Sequence, residues 1–205
     1  MPDLHPGFIA EFMSGLAVNF GIALWSLAGG LLLGVPIAWL RLGRGRVARL
    51  AGFAVAPMRT APTFVVMFFL LNALPARMSL GSWEFSVTPW LSVVLSMAVY
   101  MSSYVADNAV DALHHIRAGN RAAALLFLPG LVRAFFVAVL SSSTGAAVGV
   151  VEAVTVTLRE IDRLPSMGDK ALLMLGVTLF FVLTFQTLYA VLDLVRRRLA
   201  AAPTR

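Results

Sequence analysis

The sequence predicts an all-α membrane protein with five transmembrane helices, the N-terminus outside and the C-terminus cytoplasmic. Three observations lead there. Of 205 residues, 60% are hydrophobic and only 13% are charged, and the mean hydropathy is +0.87. Soluble domains are about 45–50% apolar and ~25% charged, and a chain this size has too little interior to hide the excess. Five stretches also reach the ~20 apolar residues that a helix needs to cross a bilayer, and basic residues gather at the ends of these stretches. This composition excludes a soluble globular enzyme, a disordered tail and a disulfide scaffold, and fits one transmembrane domain over residues 1–205. With no cysteine, thiol catalysis, Cys-ligated zinc and iron–sulfur clusters are excluded as well.

The first span, about 15–40, is free of charge and ends at Arg41, Arg44, Arg46 and Arg49. The segment Met1–His5 lacks the positive start of a secretory signal and the apolar run is too long for one, so the helix is expected to be retained. The second span, about 47–74, is interrupted by Arg59 and Pro62. We read 47–58 as an interfacial stretch and 60–74 as the deeper part, since Arg snorkels and Pro suits the first turn of a new helix. The third, 88–110, ends in Asp107, Asn108 and Asp111; the fourth covers 125–151 and the fifth 171–194. Gly30 with Gly34, and Gly145 with Gly149, stand one turn apart and are expected to let helix backbones approach closely.

Charge placement sets the orientation. One side carries Arg41, Arg44, Arg46, Arg49, Arg117, Arg121, Arg196–Arg198 and Arg205; the other only Arg77, Arg159, Arg163 and Lys170. The richer side is expected to be cytoplasmic. The net charge of +6 is thus an inside–outside label rather than a nucleic-acid footprint, for which no aromatic-interleaved basic face exists. The outer loop 152–170 mixes both signs and either folds over the outer face or meets a soluble partner.

Three groups of polar residues stand out. Asp107, Asp111, His114, His115 and Arg117 cluster near the end of the third span. Their spacing allows a metal site or proton relay, but a hydrated helix end paired with Arg117 or Arg121 explains them more simply, and no metal site is assigned. Ser141, Ser142, Ser143 and Thr144 lie inside the fourth span. Hydroxyls there can bond back to i−4 carbonyls, yet four in succession present polarity all round the helix, so they either line a pathway or bond between helices. Arg133 lies within the same span and either snorkels inward or meets a carboxylate such as Asp107. Glu152 ends the span at the outer surface, about 28 Å along the helix from Arg133. No HExxH, GxSxG, Walker loop or nucleotide fingerprint is present. The chain is read as non-enzymatic and without cofactor; ATP hydrolysis, if it drives anything here, belongs to another chain.

The order of these features resembles the permease subunit of polar amino-acid ABC importers, the histidine/glutamine permease family. Gly15-Leu16-Ala17-Val18-Asn19 stands where that family opens its first helix, with Asn19 for a usual Thr, and Leu33-Gly34 with Leu40-Arg41-Leu42-Gly43 resembles its helix-ending pattern. Arg59-Thr60-Ala61-Pro62, then Phe68-Phe69-Leu70 and Leu74-Pro75, is similar to its Arg-Gly-Thr-Pro segment and the Gly-Leu-Pro that follows. Tyr104-Val105-Ala106-Asp107 looks like Tyr-x-x-Glu and leads to Gly119-Asn120, where Gly-Gln is usual. Ala146-Ala147-Val148-Gly149-Val150-Val151-Glu152 resembles Ser-Val-Ile-Gly-Val-x-Glu, and Ser142-Ser143 falls where the family has Thr-Ser near its translocation route. The chain departs from the family after Gly119, where a Glu-Ala-Ala motif and a cytoplasmic coupling helix are usual. Here Arg121-Ala122-Ala123-Ala124 leads almost directly to Leu128-Pro129, roughly twenty residues short of the pattern.

The resemblance implies a type I ABC importer permease fold in the bacterial inner membrane, surrounded by lipid. It implies pairing with an identical or homologous permease subunit, an ATP-binding subunit and a periplasmic solute-binding protein, and passage of an amino acid or similar small polar solute. Ser141, Ser142, Ser143 and Thr144 would line the route, Arg133 would be a buried charge partner, and Glu152 an outer-face contact. Gly119, Asn120, Arg121, Ala122, Ala123 and Ala124 would be the remnant of the ATPase contact. With that contact shortened, the chain is either the passive half of a heteromeric permease or a non-transporting scaffold or regulatory subunit. An ion-coupled carrier using Asp107 and Asp111 fits less well, because no inverted repeat is visible.

Overall fold

The computed structural model describes residues 4–74, 77–80 and 83–201. Residues 1–3 of the segment Met1–His5, Pro75 and Arg205, invoked above, lie outside them, as do the side chains of Arg77, Arg121 and Ala122. The fold is helical apart from one short hairpin. Its first helix, α1 (Phe8–Arg41), begins seven residues before the expected span, with Glu11 in its first turn and Arg41 in its last, each suited to the helix dipole. Next come α2 (Arg46–Thr60) and α3 (Thr63–Ala73), bent by 93° at Ala61-Pro62. The hairpin β1 (Arg77–Leu80) and β2 (Trp83–Ser86) pairs Arg77 with Ser86 and Leu80 with Trp83; nothing in the hydropathy pattern pointed to it.

Helix α4 (Pro89–Arg117) starts with Pro at its first position and the Thr88 hydroxyl accepting from Leu91 N at 3.2 Å. After α5 (Arg121–Leu125) come α6 (Phe127–Ser141) and a 3₁₀ segment, Ser142–Val148. Amphipathic α7 (Ala153–Arg163) and α8 (Met167–Ala201) complete the chain. Four helical stretches are individually long and apolar enough to cross a membrane, and the bent α2–α3 pair makes up to five.

Parallel packing of α1 and α4 explains why the broken pair counts. Ser26 donates to the carbonyl of Val94, Gly30 lies against Met101, and Gly34 against Ser102 and Val105. Both helices therefore run the same way through the bilayer, and residues 42–88 must carry the chain back. At 1.5 Å per residue α3 covers about 16 Å, half of a ~30 Å hydrocarbon core. The expected break in the second stretch falls at Ala61-Pro62, where α2 and α3 bend by 93°.

Small residues make the α1–α4 contact possible. A Cβ on Gly30 would stand 2.6 Å from the Met101 Cβ, and one on Gly34 2.7 Å from the Ser102 carbonyl oxygen. In the Gly145–Gly149 pair, Gly149 does something else. Gly149 has φ +86° and ends the 3₁₀ segment, a left-handed position that glycine takes without a steric cost. The expectation of helix–helix packing is corrected for Gly149 only; buried Gly145 lies against Val93 of α4, 3.5 Å from where its Cβ would stand. The core joins Ile22, Val93, Met97 and Met101 to Ala134, Ala138, Val139 and Phe185. A second cluster lays Ala153, Val156 and Leu164 of the 152–170 loop on Phe8, Phe12 and Leu16. That loop therefore folds over one end of the bundle, and the backbone amide of His5 donates to Glu160 at 2.7 Å to tie the first residues beneath it.

Candidate functional site

Helices α4 and α6 run antiparallel and leave a groove between them. At its hairpin-side end a cavity of about 250 Å³ is lined by Thr63, Met97, Tyr100, Met101, Ser141 and Thr144, among others. A smaller one of about 100 Å³ shares Tyr100, Met101 and Val137 with it and reaches Tyr104 and Arg133. A third, about 220 Å³, shares Tyr104 and Arg133 and continues to Asn108, Asp193 and Arg196. The three share lining residues in series along the α4–α6 groove. From Thr144 to Leu126 the groove follows about 28 Å of helix, close to the thickness of a hydrocarbon core.

Local sequence builds the walls. Met97, Tyr100, Met101, Tyr104 and Asn108 recur at three- and four-residue spacing and so share one face of α4. Tyr104 donates its hydroxyl to the Gly130 carbonyl at 3.1 Å, pinning α4 to α6 in mid-groove. Opposite, Ser142 donates to Val139 O at 2.7 Å and Thr144 to Ser141 O at 2.9 Å. These bonds reach back three residues rather than the expected four, matching the tighter 3₁₀ winding. The tighter winding distributes the hydroxyls. Ser141 and Thr144 are exposed and line the cavity. Ser142 is fully buried, and Ser143 is half-buried outside the lining.

Ser142 belongs instead to a closed polar network. It accepts from Asn19 Nδ2 at 2.8 Å, and the second Nδ2 proton goes to Glu152 at 3.0 Å. The carbonyl of the same amide accepts from Ala153 N at 3.2 Å. Glu152 also takes the backbone amides of Val154 (3.0 Å) and Thr155 (2.7 Å), capping α7. Asn19, Ser142 and Glu152 are each 0% exposed, so desolvation is offset by complete pairing. The outer-face contact expected of Glu152 is thereby corrected: its carboxylate has no surface to offer and holds α1, the 3₁₀ segment and α7 together.

Asp107 is also placed differently from either expectation. Arg41, ending α1, donates to it at 2.8 Å, and Arg59, ending α2, meets its other oxygen. It pairs with neither Arg117 nor Arg133. Asp111, His114 and His115 are exposed along the last turns of α4, and no group of three or more metal-ligating side chains exists among the described residues. Arg133, expected as a buried charge partner, is exposed along the groove with its guanidinium 6.0 Å from the Tyr189 ring centre. Among the described residues no carboxylate lies within ion-pair distance of it. Between Gly119 (φ +78°) and α6, the Asn120 side chain accepts from Ala123 N at 3.0 Å and caps the five-residue α5.

Several of these residues were not assigned to a site from the sequence, though Asn19, Tyr104 and Asn108 were named there. Asn19 is a buried amide inside an apolar run, and the Tyr100, Tyr104 and Asn108 stripe has helical period; both signals were available. Thr63 and Asp193 carried none, because only packing brings them to the groove.

No protein-family profile matches the chain, and no curated protein sequence matches it. Among solved structures, the chain is similar to one described as "Crystal structure of an amino acid ABC transporter with histidines". The two share 19% sequence identity over 93% of this chain and 95% of that one, with a TM-score of 0.67. This protein is a multi-pass membrane protein with the fold of that amino acid ABC transporter chain.

Proposed function

We propose that the chain is a permease subunit of an ABC-type importer for amino acids or similar small polar solutes. On this reading its N-terminus is outside and its C-terminus in the cytoplasm of a bacterial inner membrane. The observation that carries the reading is the polar-edged, partly open groove along α4 and α6, about as long as a bilayer core is thick, to which α3 adds Thr63 at one end and α8 adds Asp193 and Arg196 at the other. Its open side needs a further wall, which an identical or homologous subunit would supply. Its fold neighbour, an amino acid transporter with histidines, supports the solute class. Ser141, Thr144 and Arg133 line the route; Ser142 and Glu152 hold its outer frame.

The turn from Gly119 to Ala124 is the surface that would meet an ATPase subunit, and α5 within it is only five residues long. Transmitting a stroke requires a physical element that both sites bias, and five residues offer little. We therefore read the chain as the passive half of a heteromeric permease, its partner taking the stroke for both. The same short α5 favours a second reading, a non-transporting scaffold or regulatory subunit derived from such a permease.

Purification in mild detergent with the chains that surround it separates the two. The importer reading expects a homologous permease and an ATPase in fixed ratio, with hydrolysis raised by a soluble binding protein and its solute. Recovery with unrelated membrane proteins and no ATPase contradicts it.

A further inference from the structure

The cavity at the Arg196 end of the groove has a charge pattern that the route alone does not require. Arg133 and Arg196 contribute two guanidiniums and Asp193 one carboxylate, leaving +1. Tyr104 and Asn108 complete its polar lining. Asn108 donates its Nδ2 to the Tyr104 carbonyl at 2.8 Å, which leaves its Oδ1 to accept. Arg133 is a cation within a membrane-spanning helix, 6.0 Å from the Tyr189 ring centre and, among the described residues, without a carboxylate in ion-pair distance. A charge at that depth is costly unless an anion or water meets it. At about 220 Å³ the cavity suits a small solute rather than a macromolecule.

We propose that Arg133, Arg196 and Asp193 form a subsite that reads a zwitterion. The guanidiniums receive a carboxylate and Asp193 an ammonium group, so the subsite accepts solutes of net charge 0 or −1 and disfavours net cations. This inference rests on the reading of the α4–α6 groove as a solute route. Arginine suits the role through its permanent charge and its fork of donors, which matches a carboxylate.

The chain contains no cysteine, so a single introduced thiol reports on the cavity without background. Leu192 lines it and is half-buried. In Leu192→Cys, purified with its membrane neighbours into nanodiscs, an anionic methanethiosulfonate is expected to react about tenfold faster than a cationic one, as local field focusing provides. Adding Arg133→Gln removes most of that preference, whereas adding Arg159→Gln, outside the cavity, leaves it. Millimolar L-glutamate or L-glutamine slows the reaction about threefold or more, as occupancy at twice the Kd of a site does; L-arginine and L-glutamine amide do not.

Equal rates with the two reagents, or protection by arginine equal to that by glutamate, overturn the subsite. So does a thiol reactive in detergent but silent in nanodiscs, which would mean that phospholipid fills the cavity. The route reading is read separately at Ser141→Cys. If that thiol is inaccessible from water the route fails; if it is accessible and Leu192→Cys shows no preference, only the subsite fails.

Discussion

Asn19 donates its side-chain amide to the Glu152 carboxylate at 3.0 Å across 133 positions of sequence, both residues sealed from solvent. Through that bond the middle of α1 holds the start of α7, and Gly15 allows it. A Cβ on Gly15 would stand 2.7 Å from the backbone of Glu152 and Ala153. Removing either partner strands buried polar atoms, whose loss costs about 1–3 kcal/mol, and more when the stranded group is charged. Glu152→Ala is expected to cost roughly 3 kcal/mol and Asn19→Ala about 2 kcal/mol, measured by denaturant unfolding in detergent. The double variant should cost less than the sum, because each single change already empties the shared bond. Strict additivity would contradict the network.

A contrasting pair of glycine substitutions tests the α1–α4 contact. Gly34→Ala drives a methyl group against the Ser102 carbonyl and Val105 and should destabilise by about 1–3 kcal/mol. Gly21→Ala, on the same helix with nothing within 4 Å, should stabilise by roughly 0.5–1 kcal/mol. The same unfolding assay reads both. Equal effects would mean that α1 and α4 do not pack at Gly34.

Asp107 joins the ends of α1 and α2 through Arg41 and Arg59, at side-chain exposures of 32%, 26% and 56%. Groups this exposed are screened, so Asp107→Asn should cost at most about 1 kcal/mol. The larger effect is expected in protection. With its tether gone, α2 should open more often, and trypsin should cut at Arg49 or Arg59 faster than in the wild type. Unchanged cleavage would show that apolar contacts alone hold α2.

These sites also show where sequence reading stops. The long apolar helices, the break at Pro62 and the Gly30–Gly34 contact were legible, because hydropathy length, proline and small-residue spacing are local signals. The 3₁₀ segment was foreshadowed only by its hydroxyl run. Glu152 was read as an outer contact because a carboxylate ending a span normally faces water; nothing near it in sequence announces Asn19. Asp107 was matched with arginines on its own helix, on α5 or on α6, whereas α1 and α2 supply them. The missing information is which helices cross, and tertiary packing decides that.

The groove gives the central claim its most direct test. Ser141 and Thr144 point into it, while Leu179 of α8 is 48% exposed and lines none of its three cavities. In the cysteine-free background, Ser141→Cys and Leu179→Cys can be treated in membranes with a water-soluble, membrane-impermeant thiol reagent, since ionised thiols react only where water reaches them. If α4 and α6 wall an aqueous route, Ser141→Cys is modified at least about tenfold faster than Leu179→Cys. Equal inertness at the two positions would contradict a solute path between these helices.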